Sequence, residues 1–305
     1  MARSVREWPR RRPRGSRSGP VNVDRQEPVS IVDAGVVGHE RVRQRAAADP
    51  VAAALMAEFV ESLADNPFSR SQMMCAVRDE DLLGLCLAAG NLVPLGLPPE
   101  AMTPIADHVR RHGLRFSSMV GSADQVMSLW PLLRRHLGTP RDIRPDQPSL
   151  MIDHDPPLQA DPRVRPGRVD DLDILIPACV SMFTEEVGYS PLTAGGGYER
   201  RVRHLVDQGR SLVRVAEGPQ GREVVFKAEI GTVGLGVAQV QGVWVNPRYR
   251  GRGLAAPGMA AVVQHARAIF APAVSLYVNS YNAAALATYR SAGFRRVGTF
   301  ATILL

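Results

Sequence analysis

The residues best suited to chemistry lie in a basic turn, NPRYRGRGLAAPG, which begins at Asn246 and leads into an alanine-rich apolar run. Its charged and small residues are Arg248, Arg250, Gly251, Arg252 and Gly253. Glycines let backbone N–H groups approach a ligand closely, and a helix that starts there adds unpaired N–H groups and the positive end of its dipole. The turn therefore predicts a binding site for a diphosphate.

Two common phosphate motifs do not fit this turn. A Walker A loop would need a Gly-Lys-Ser/Thr ending, which does not follow. Gly251, Gly253 and Ala256 satisfy the GxGxxA pattern of a dinucleotide site, but that site also needs a carboxylate about 20 residues later. No Asp or Glu follows Glu229, and the segment 230–305 carries seven arginines without one acid. We therefore expect a positive field centred on the turn.

Composition argues against several other classes of protein. No apolar run approaches the roughly 18 residues that a membrane span needs. The three cysteines (Cys75, Cys86 and Cys179) and the scattered histidines form no disulfide frame or metal motif. This pattern predicts buried thiols, no metal and a cytoplasmic location.

The net charge of +7 is concentrated at the start of the chain. Residues 1–28 hold eight arginines against three acids, which leaves +5. We expect residues 1–30 to be a disordered tail. It is interpreted either as a solvated leader or as an arm that contacts nucleic acid weakly. No other contact with nucleic acid, and no membrane contact, is expected.

Strands and helices alternate along the rest of the chain, which predicts an α/β architecture. From residue 164 the pattern reads ααβββαβαβ, with the basic turn between the third strand and the third helix. Over residues 45–150 strands again alternate with helices, and the spacing of apolar residues predicts a helix over Pro50–Ala64. The segment DHDPPLQADPRVRPG has the composition of a linker.

These patterns predict four segments. They are a tail over residues 1–30, an N-terminal α/β domain over 31–152, a linker over 153–163 and a C-terminal domain over 164–305. The two domains share a similar order of elements, but only the second contains an Arg-x-x-Gly-x-Gly turn.

The turn Arg248-x-x-Gly251-x-Gly253, placed after a strand, resembles the pyrophosphate loop of the GNAT superfamily, the GCN5-related N-acetyltransferases. Asn282 and Tyr289, seven residues apart on a later helix, also match that family. The resemblance implies a mixed, mostly antiparallel central sheet flanked by helices, with a smaller α/β domain before it. The N-terminal half is similar to a degenerate half of a tandem GNAT protein; an unrelated α/β domain is the alternative.

The resemblance also implies a binding site for acetyl-CoA or another short acyl-CoA. The residues that would hold the cofactor are Val243, Trp244, Val245, Arg248, Arg250, Gly251, Arg252, Gly253, Leu254, Ala255 and Asn282. Tyr289 would protonate the leaving thiolate as general acid. Two alternatives stay open, because Asn282 is equally suited to cap its helix and Tyr289 is equally suited to pack in a core.

The strand that leads into the turn reads VAQVQG and carries no acid, although the family often places a base there. Glu229, on the preceding strand, is the candidate base. The alternative for Glu229 is an ion pair with Lys227 or an arginine. Glu185 and Glu186 are candidates for binding a cationic substrate, with a solvated helix end as the alternative.

The function expected from this resemblance is an N-acetyltransferase. It would transfer an acetyl group from acetyl-CoA to a primary amine of a small molecule or protein, by direct attack and without a metal. A catalytically inactive acyl-CoA-binding or sensing protein is the alternative. The N-terminal half is expected to shape the acceptor pocket or to stabilise a homodimer.

Overall fold

The computed structural model describes residues 27–194, 196–219 and 221–305, so most of the expected arginine-rich tail lies outside the described residues. Within these ranges the strands are β1 (Ser30–Asp33), β2 (Met73–Arg78), β3 (Asp81–Ala88), β4 (Asn91–Leu95), β5 (Ser118–Ser122), β6 (Asp142–Ile152), β7 (Arg165–Pro166), β8 (Ser211–Gly218), β9 (Gly221–Gly234), β10 (Val237–Val245), β11 (Ala273–Tyr277) and β12 (Arg295–Leu304). The helices are α1 (Ala34–Val37), α2 (His39–Ala47), α3 (Ala57–Glu61), α4 (Pro67–Gln72), α5 (Pro99–Arg111), α6 (Ala123–Leu137), α7 (Leu172–Val187), α8 (Gly197–Asp207), α9 (Ala255–Ile269) and α10 (Ala283–Ser291).

All the strands join one twelve-stranded sheet in the order β1-β2-β3-β4-β5-β12-β6-β11-β10-β9-β8-β7. Neighbouring strands are antiparallel except for β4 with β5 and β10 with β11, which run parallel. Helices cover the sheet, as their contacts with the strands show. The predicted fold class, a mixed and mostly antiparallel sheet flanked by helices, is confirmed.

The two halves of the chain exchange their last strands. The final strand of the first half, β6, pairs with β11 of the second half. The final strand of the whole chain, β12, lies between β5 and β6 and pairs with both of them. Each half therefore completes its part of the sheet with a strand from the other half, and the strands paired in this way, β6 with β11 and β12 with β5, lie more than a hundred residues apart in the sequence.

Strand β9 shows how the sequence divides its side chains between the two faces of the sheet. Successive residues of a strand point to opposite faces. Phe226, Ala228 and Ile230 pack in the core beneath α9. The intervening Lys227 and Glu229 lie on the other face, where Cys179 of α7 covers them. One face of this strand is thus apolar and the other carries buried charge.

The helix predicted over residues 50–64 is much shorter in the structure. A 3-10 turn at Ala54–Met56 precedes α3, and bonds between residues three apart link Met56 to Ala53 and Leu63 to Val60. The hydroxyl of Thr232 donates to the carbonyl of Ala54, which a regular helix would use internally. Contact with the β9–β10 hairpin therefore overrides the local helical pattern.

Candidate active site

The parallel strands β10 and β11 separate after the first three residues of β10. Their pairing covers only Val237, Ala238 and Gln239, so the β11-facing edge of residues 240–245 has no strand partner in the described chain. Backbone N–H and C=O groups along such an edge need partners. The expected cofactor residues Val243, Trp244 and Val245 lie on this open edge.

A bulge interrupts β10 immediately before these residues. In the pairing with β9, Gln241 lies opposite Glu229 and the next pair is Trp244 with Lys227, so two residues of β10 are unpaired between them. Gly242, the first of the two, has a φ of +59°, a region that favours glycine. The bulge therefore changes the direction of the strand at the point where the open edge begins.

The basic turn follows β10 as predicted. Asn246 caps a short 3-10 turn over Pro247–Tyr249, and its side-chain oxygen accepts from the N–H of Arg248 at 3.1 Å. Gly251 and Gly253 have φ values of +72° and +69°. Helix α9 starts directly afterwards, and Leu254 precedes its first residue, Ala255. The first N–H groups of α9 therefore lie at the end of the open edge of β10.

The acid-free C-terminal segment, from which a positive field is predicted, receives carboxylate partners from elsewhere in the fold. Acids outside the segment form ion pairs with five of its seven arginines. The pairs are Arg248–Glu223, Arg250–Glu185, Arg267–Asp155, Arg295–Asp153 and Arg296–Asp146. Within the described residues Arg252 and Arg290 have no carboxylate partner, and the guanidinium of Arg252 lies 5.2 Å from the ring centre of Tyr249.

Asn282 and Tyr289 lie at the two ends of α10. Asn282 caps this helix, since its side-chain oxygen accepts from the N–H of Ala285 at 3.1 Å. Because the cap uses only the side-chain oxygen, the amide NH2 group of Asn282 can donate to a ligand. Tyr289 is 7% exposed and packs edge-on against Phe294. Burial, together with the nearby charge of Glu186, raises the pKa of Tyr289, so its hydroxyl keeps its proton at neutral pH.

Glu185 and Glu186 lie at the end of α7 and have different partners. Glu185 forms an ion pair with Arg250 at 2.6 Å and accepts from the indole N–H of Trp244 at 3.2 Å. Glu186 lies near Arg144 of β6, at 3.4 Å between guanidinium and carboxylate. Glu185 thus lies beside the glycine turn, whereas Glu186 lies beside Arg144 of β6.

The charge of Glu186 contributes to the raised pKa of three tyrosines, Tyr198, Tyr277 and Tyr289. Burial first, and then this charge, raise the pKa of Tyr277 to about 12. The same two causes act on Tyr289. The structure therefore brings Glu186, Tyr277 and Tyr289 into one region. Arg144, which holds both the carboxylate and the backbone carbonyl of Glu186, comes from the first half of the chain, and no local sequence signal marks it.

Glu229 is buried beneath α7 in an ion pair with Lys227, at 2.8 Å between Nζ and Oε1. The thiol of Cys179 also donates to this oxygen, at 3.3 Å. Burial alone would raise the pKa of Glu229, but the charge and hydrogen bond of Lys227 outweigh it, and the pKa is lowered. Glu229 therefore forms the ion pair with Lys227 that the sequence analysis gave as the alternative to a role as base.

In the first half of the chain, the gap between β4 and β5 corresponds to the gap between β10 and β11. Side chains of the first half occupy it. Strands β4 and β5 pair at two positions only. Beyond β4, the side chain of Gln125 accepts from the N–H of Leu97 at 2.8 Å and donates to its carbonyl at 3.2 Å. Pro94 removes a further backbone donor from β4. The amide of Gln125 therefore occupies the backbone groups that an amide-bearing ligand would need.

The described residues contain neither a metal-binding cluster nor a membrane-spanning helix. No group of three or more His, Cys, Asp or Glu side chains is placed to hold a metal ion. None of the helices has the length and apolar character of a membrane-crossing segment.

An open strand edge, a glycine turn and a helix N-terminus follow one another along residues 240–255. Comparisons with known proteins identify the family and the fold to which this part of the chain is similar. Residues 202–294 match the acetyltransferase (GNAT) family, and residues 71–175 match a domain of unknown function, DUF4081. Residues 202–294 therefore carry a GNAT acetyltransferase domain, which confirms the predicted resemblance. No curated protein matches the chain.

Solved structures show the same fold across most of the chain. A Drosophila protein has a TM-score of 0.58 at 11% identity and covers 91% of this chain and 98% of its own. A GCN5-related N-acetyltransferase from Sphaerobacter thermophilus has a TM-score of 0.56 at 16% identity, with 90% and 94% covered. A GNAT-family acetyltransferase from Colwellia psychrerythraea has a TM-score of 0.54 at 12% identity, with 92% and 100% covered.

Proposed function

We propose that this protein is an N-acetyltransferase that transfers an acetyl group from acetyl-CoA to a primary amine of a small molecule or peptide. One observation carries the proposal. The edge of β10 opens away from β11 directly before the Gly251-x-Gly253 turn and the start of α9. This succession offers backbone amides to the pantetheine arm and then N–H groups to the diphosphate.

Transfer would proceed by direct attack in a ternary complex. The neutral form of the amine attacks the thioester carbonyl, a C–N bond forms, and the C–S bond breaks. The protons lost by the ammonium and then by the new amide nitrogen pass to water. Tyr289 donates its proton to the leaving thiolate and regains one from water. The side-chain NH2 of Asn282 would donate to the thioester arm.

The two acids of α7 take different roles in this proposal. The half-exposed Glu186, whose charge reaches Tyr289, attracts the cationic amine. Glu185 holds Arg250 until the diphosphate competes for it. Glu229 is the general base predicted from the sequence, but its contacts oppose that role. Its lowered pKa and its bond to Lys227 leave it little tendency to take a proton from an amine.

An acyl-CoA-binding protein without catalytic activity is the second candidate. It is favoured by one observation: no acid lies on β10, and Glu229 on the neighbouring strand β9 is paired with Lys227. Such a protein would bind acetyl-CoA at the same open edge without turning it over.

Two measurements separate these candidates. Acetyl-CoA should raise the melting temperature of the purified protein, and a panel of primary amines should release free CoA thiol in an amine-dependent manner. Binding without thiol release across the panel would favour the sensing protein. Absence of any shift at millimolar acetyl-CoA would contradict both functions.

A further inference from the structure

The chain contains a single lysine, Lys227, among its 37 basic residues. Its side chain is completely buried. The arginines, by contrast, lie mainly at the surface. The only lysine therefore stands at a buried position, where a cation is costly. Such a residue needs a local reason that an arginine or an apolar side chain would not satisfy.

The contacts of Lys227 give that reason. Its ammonium lies 2.8 Å from Oε1 of Glu229 and donates to the carbonyl of Gly242 at 2.9 Å. Burial alone would lower the pKa of Lys227, but the Glu229 carboxylate and Cys179 outweigh it, so the ammonium stays charged. The lysine therefore joins a fixed carboxylate on β9 to the bulged backbone of β10.

The space around this contact is suited to a compact ammonium. A Cβ atom at Gly242 would lie 3.1 Å from Nζ of Lys227 and 3.2 Å from Oε2 of Glu229. The planar, five-donor guanidinium of an arginine needs more room and more acceptors than these groups supply. Glycine at 242 and lysine at 227 are thus matched to each other.

From this geometry we propose that Lys227 is a positioning residue for the cofactor's pantetheine arm. By holding the Gly242 carbonyl it fixes the bulge, and the bulge aims the open edge of Val243–Val245 into the gap between β10 and β11. The inference rests on the proposed function. Lys227 lies on the face covered by α7 and acts only through the backbone of β10.

A purely structural ion pair would have a different consequence. Losing it would weaken folding and would affect all ligands of the site alike. A positioning role affects only the part of the ligand that lies along the bulge. The glycine turn and α9, which would hold the diphosphate, lie beyond the open edge and make no contact with Lys227 in the described structure.

The test uses two probes on the full-length protein, measured by calorimetric titration. CoA contains the pantetheine arm, and 3′-phosphoadenosine 5′-diphosphate carries the same nucleotide without it. In Lys227→Met we expect CoA affinity to fall roughly tenfold, which corresponds to the loss of about one well-placed hydrogen bond. The affinity for the nucleotide fragment should change by less than about twofold on the same reasoning.

Three further variants control this result. Gly242→Ala perturbs the same bulge from the other side and should give the same selective loss. Lys227→Met with Glu229→Gln removes the unpaired buried charge, in case the single variant does not fold. Arg165→Met, which breaks an ion pair with the buried Asp171 far from β10, should leave the ratio of the two affinities unchanged.

The outcomes are distinguishable. If the wild-type protein does not bind CoA, the proposed function is overturned, and this inference with it. If it binds CoA and the folded Lys227 and Gly242 variants keep the wild-type ratio of affinities, the positioning role is overturned while the proposed function stands. A selective loss of CoA affinity in these variants supports the positioning role.

Discussion

At the scale of single residues, Tyr289 combines a buried ring with a hydroxyl that keeps its proton. Replacing it with phenylalanine preserves the packing against Phe294 and removes the proposed proton donor. We expect kcat to fall by about 100-fold, the lower end for a lost general acid, with little change in the KM for acetyl-CoA. Steady-state kinetics with an amine found by the panel would measure this.

The pH dependence of wild-type activity provides a second check on the role of Tyr289. Because the pKa of Tyr289 is raised above its ordinary value of about 10, the hydroxyl should not deprotonate below that pH. Wild-type activity should therefore show no alkaline loss from Tyr289 up to pH 10. An unchanged kcat in Tyr289→Phe would show that another group protonates the thiolate.

Asp171 makes a residue-scale prediction about stability. This buried carboxylate pairs with Arg165 at 2.6 Å and with Arg222, and the bond from Arg165 is the main reason that its pKa falls to about 2. A lowered pKa stabilises the fold above the unfolded pKa of about 3.9 and loses this effect as pH falls through the folded pKa.

We therefore expect Asp171→Asn to lower the free energy of unfolding by about 2 kcal/mol at pH 7. The difference from wild type should shrink as pH falls from about 4 to about 2. Urea unfolding at several pH values measures it, provided that both proteins still fold at the lowest pH. A difference that stays constant over this range would contradict the assignment.

Sequence reasoning at this scale worked where a residue and its partner are close along the chain. Asn282 caps α10 through a residue three positions later, and Lys227 pairs with a glutamate two positions later. It missed Arg144 and Gln125, because each acts on residues that only the folded sheet brings near. It also missed the ion pairs at the turn, because Glu223 and Glu185 reach Arg248 and Arg250 from outside the acid-free segment.

At the scale of elements, strong local patterns predicted β8 to β12 and α9 in the right order. The helix predicted over residues 50–64 is shortened to α3, because Thr232 and the backbone of the β9–β10 hairpin form hydrogen bonds with residues 54–61. The bulge in β10 was not predicted, since the contacts at it, such as the bond from Lys227 to the Gly242 carbonyl, join two strands. Propensity describes an isolated segment, whereas tertiary contacts set these details.

The close packing of α9 on β9 makes an element-scale prediction. A Cβ atom at Gly258 would lie 2.9 Å from the fully buried ring of Phe226, which has no room to move. Although alanine favours helices, we expect Gly258→Ala to lower the free energy of unfolding by about 1 to 2 kcal/mol through overpacking. Chemical denaturation would measure this loss.

Gly197 offers a matched control for this substitution. It begins α8, and a Cβ atom there would meet only the end of the Arg200 side chain, at 3.8 Å. Gly197→Ala should therefore leave stability unchanged or raise it by a few tenths of a kcal/mol. If both variants behaved alike, the close contact with Phe226 would not determine how α9 packs.

At the scale of the whole molecule, the exchange of β6 and β12 makes the two halves depend on each other. Leu150 and Ile152 of β6 belong to the core beneath α9, and Ala301 and Ile303 of β12 belong to the core beneath α5 and α6. The alternation of elements within each half was readable in the sequence. The exchange was not, because β6 and β12 have the same local pattern whichever β strand they join.

This exchange predicts that residues 153–305 alone will not fold, although they contain the whole proposed cofactor site. Without β6, β11 loses its antiparallel partner, and β12 loses both β5 and β6. We expect the fragment to lack a cooperative thermal transition and to aggregate through its unpaired strands. Coexpression with residues 1–152 should restore a complex that elutes at the size of the intact chain and binds acetyl-CoA. A monomeric 153–305 fragment that unfolds cooperatively would mean that β12 can pair directly with β11 when β6 is absent, so that the exchange would be one of two stable arrangements rather than a requirement of the fold.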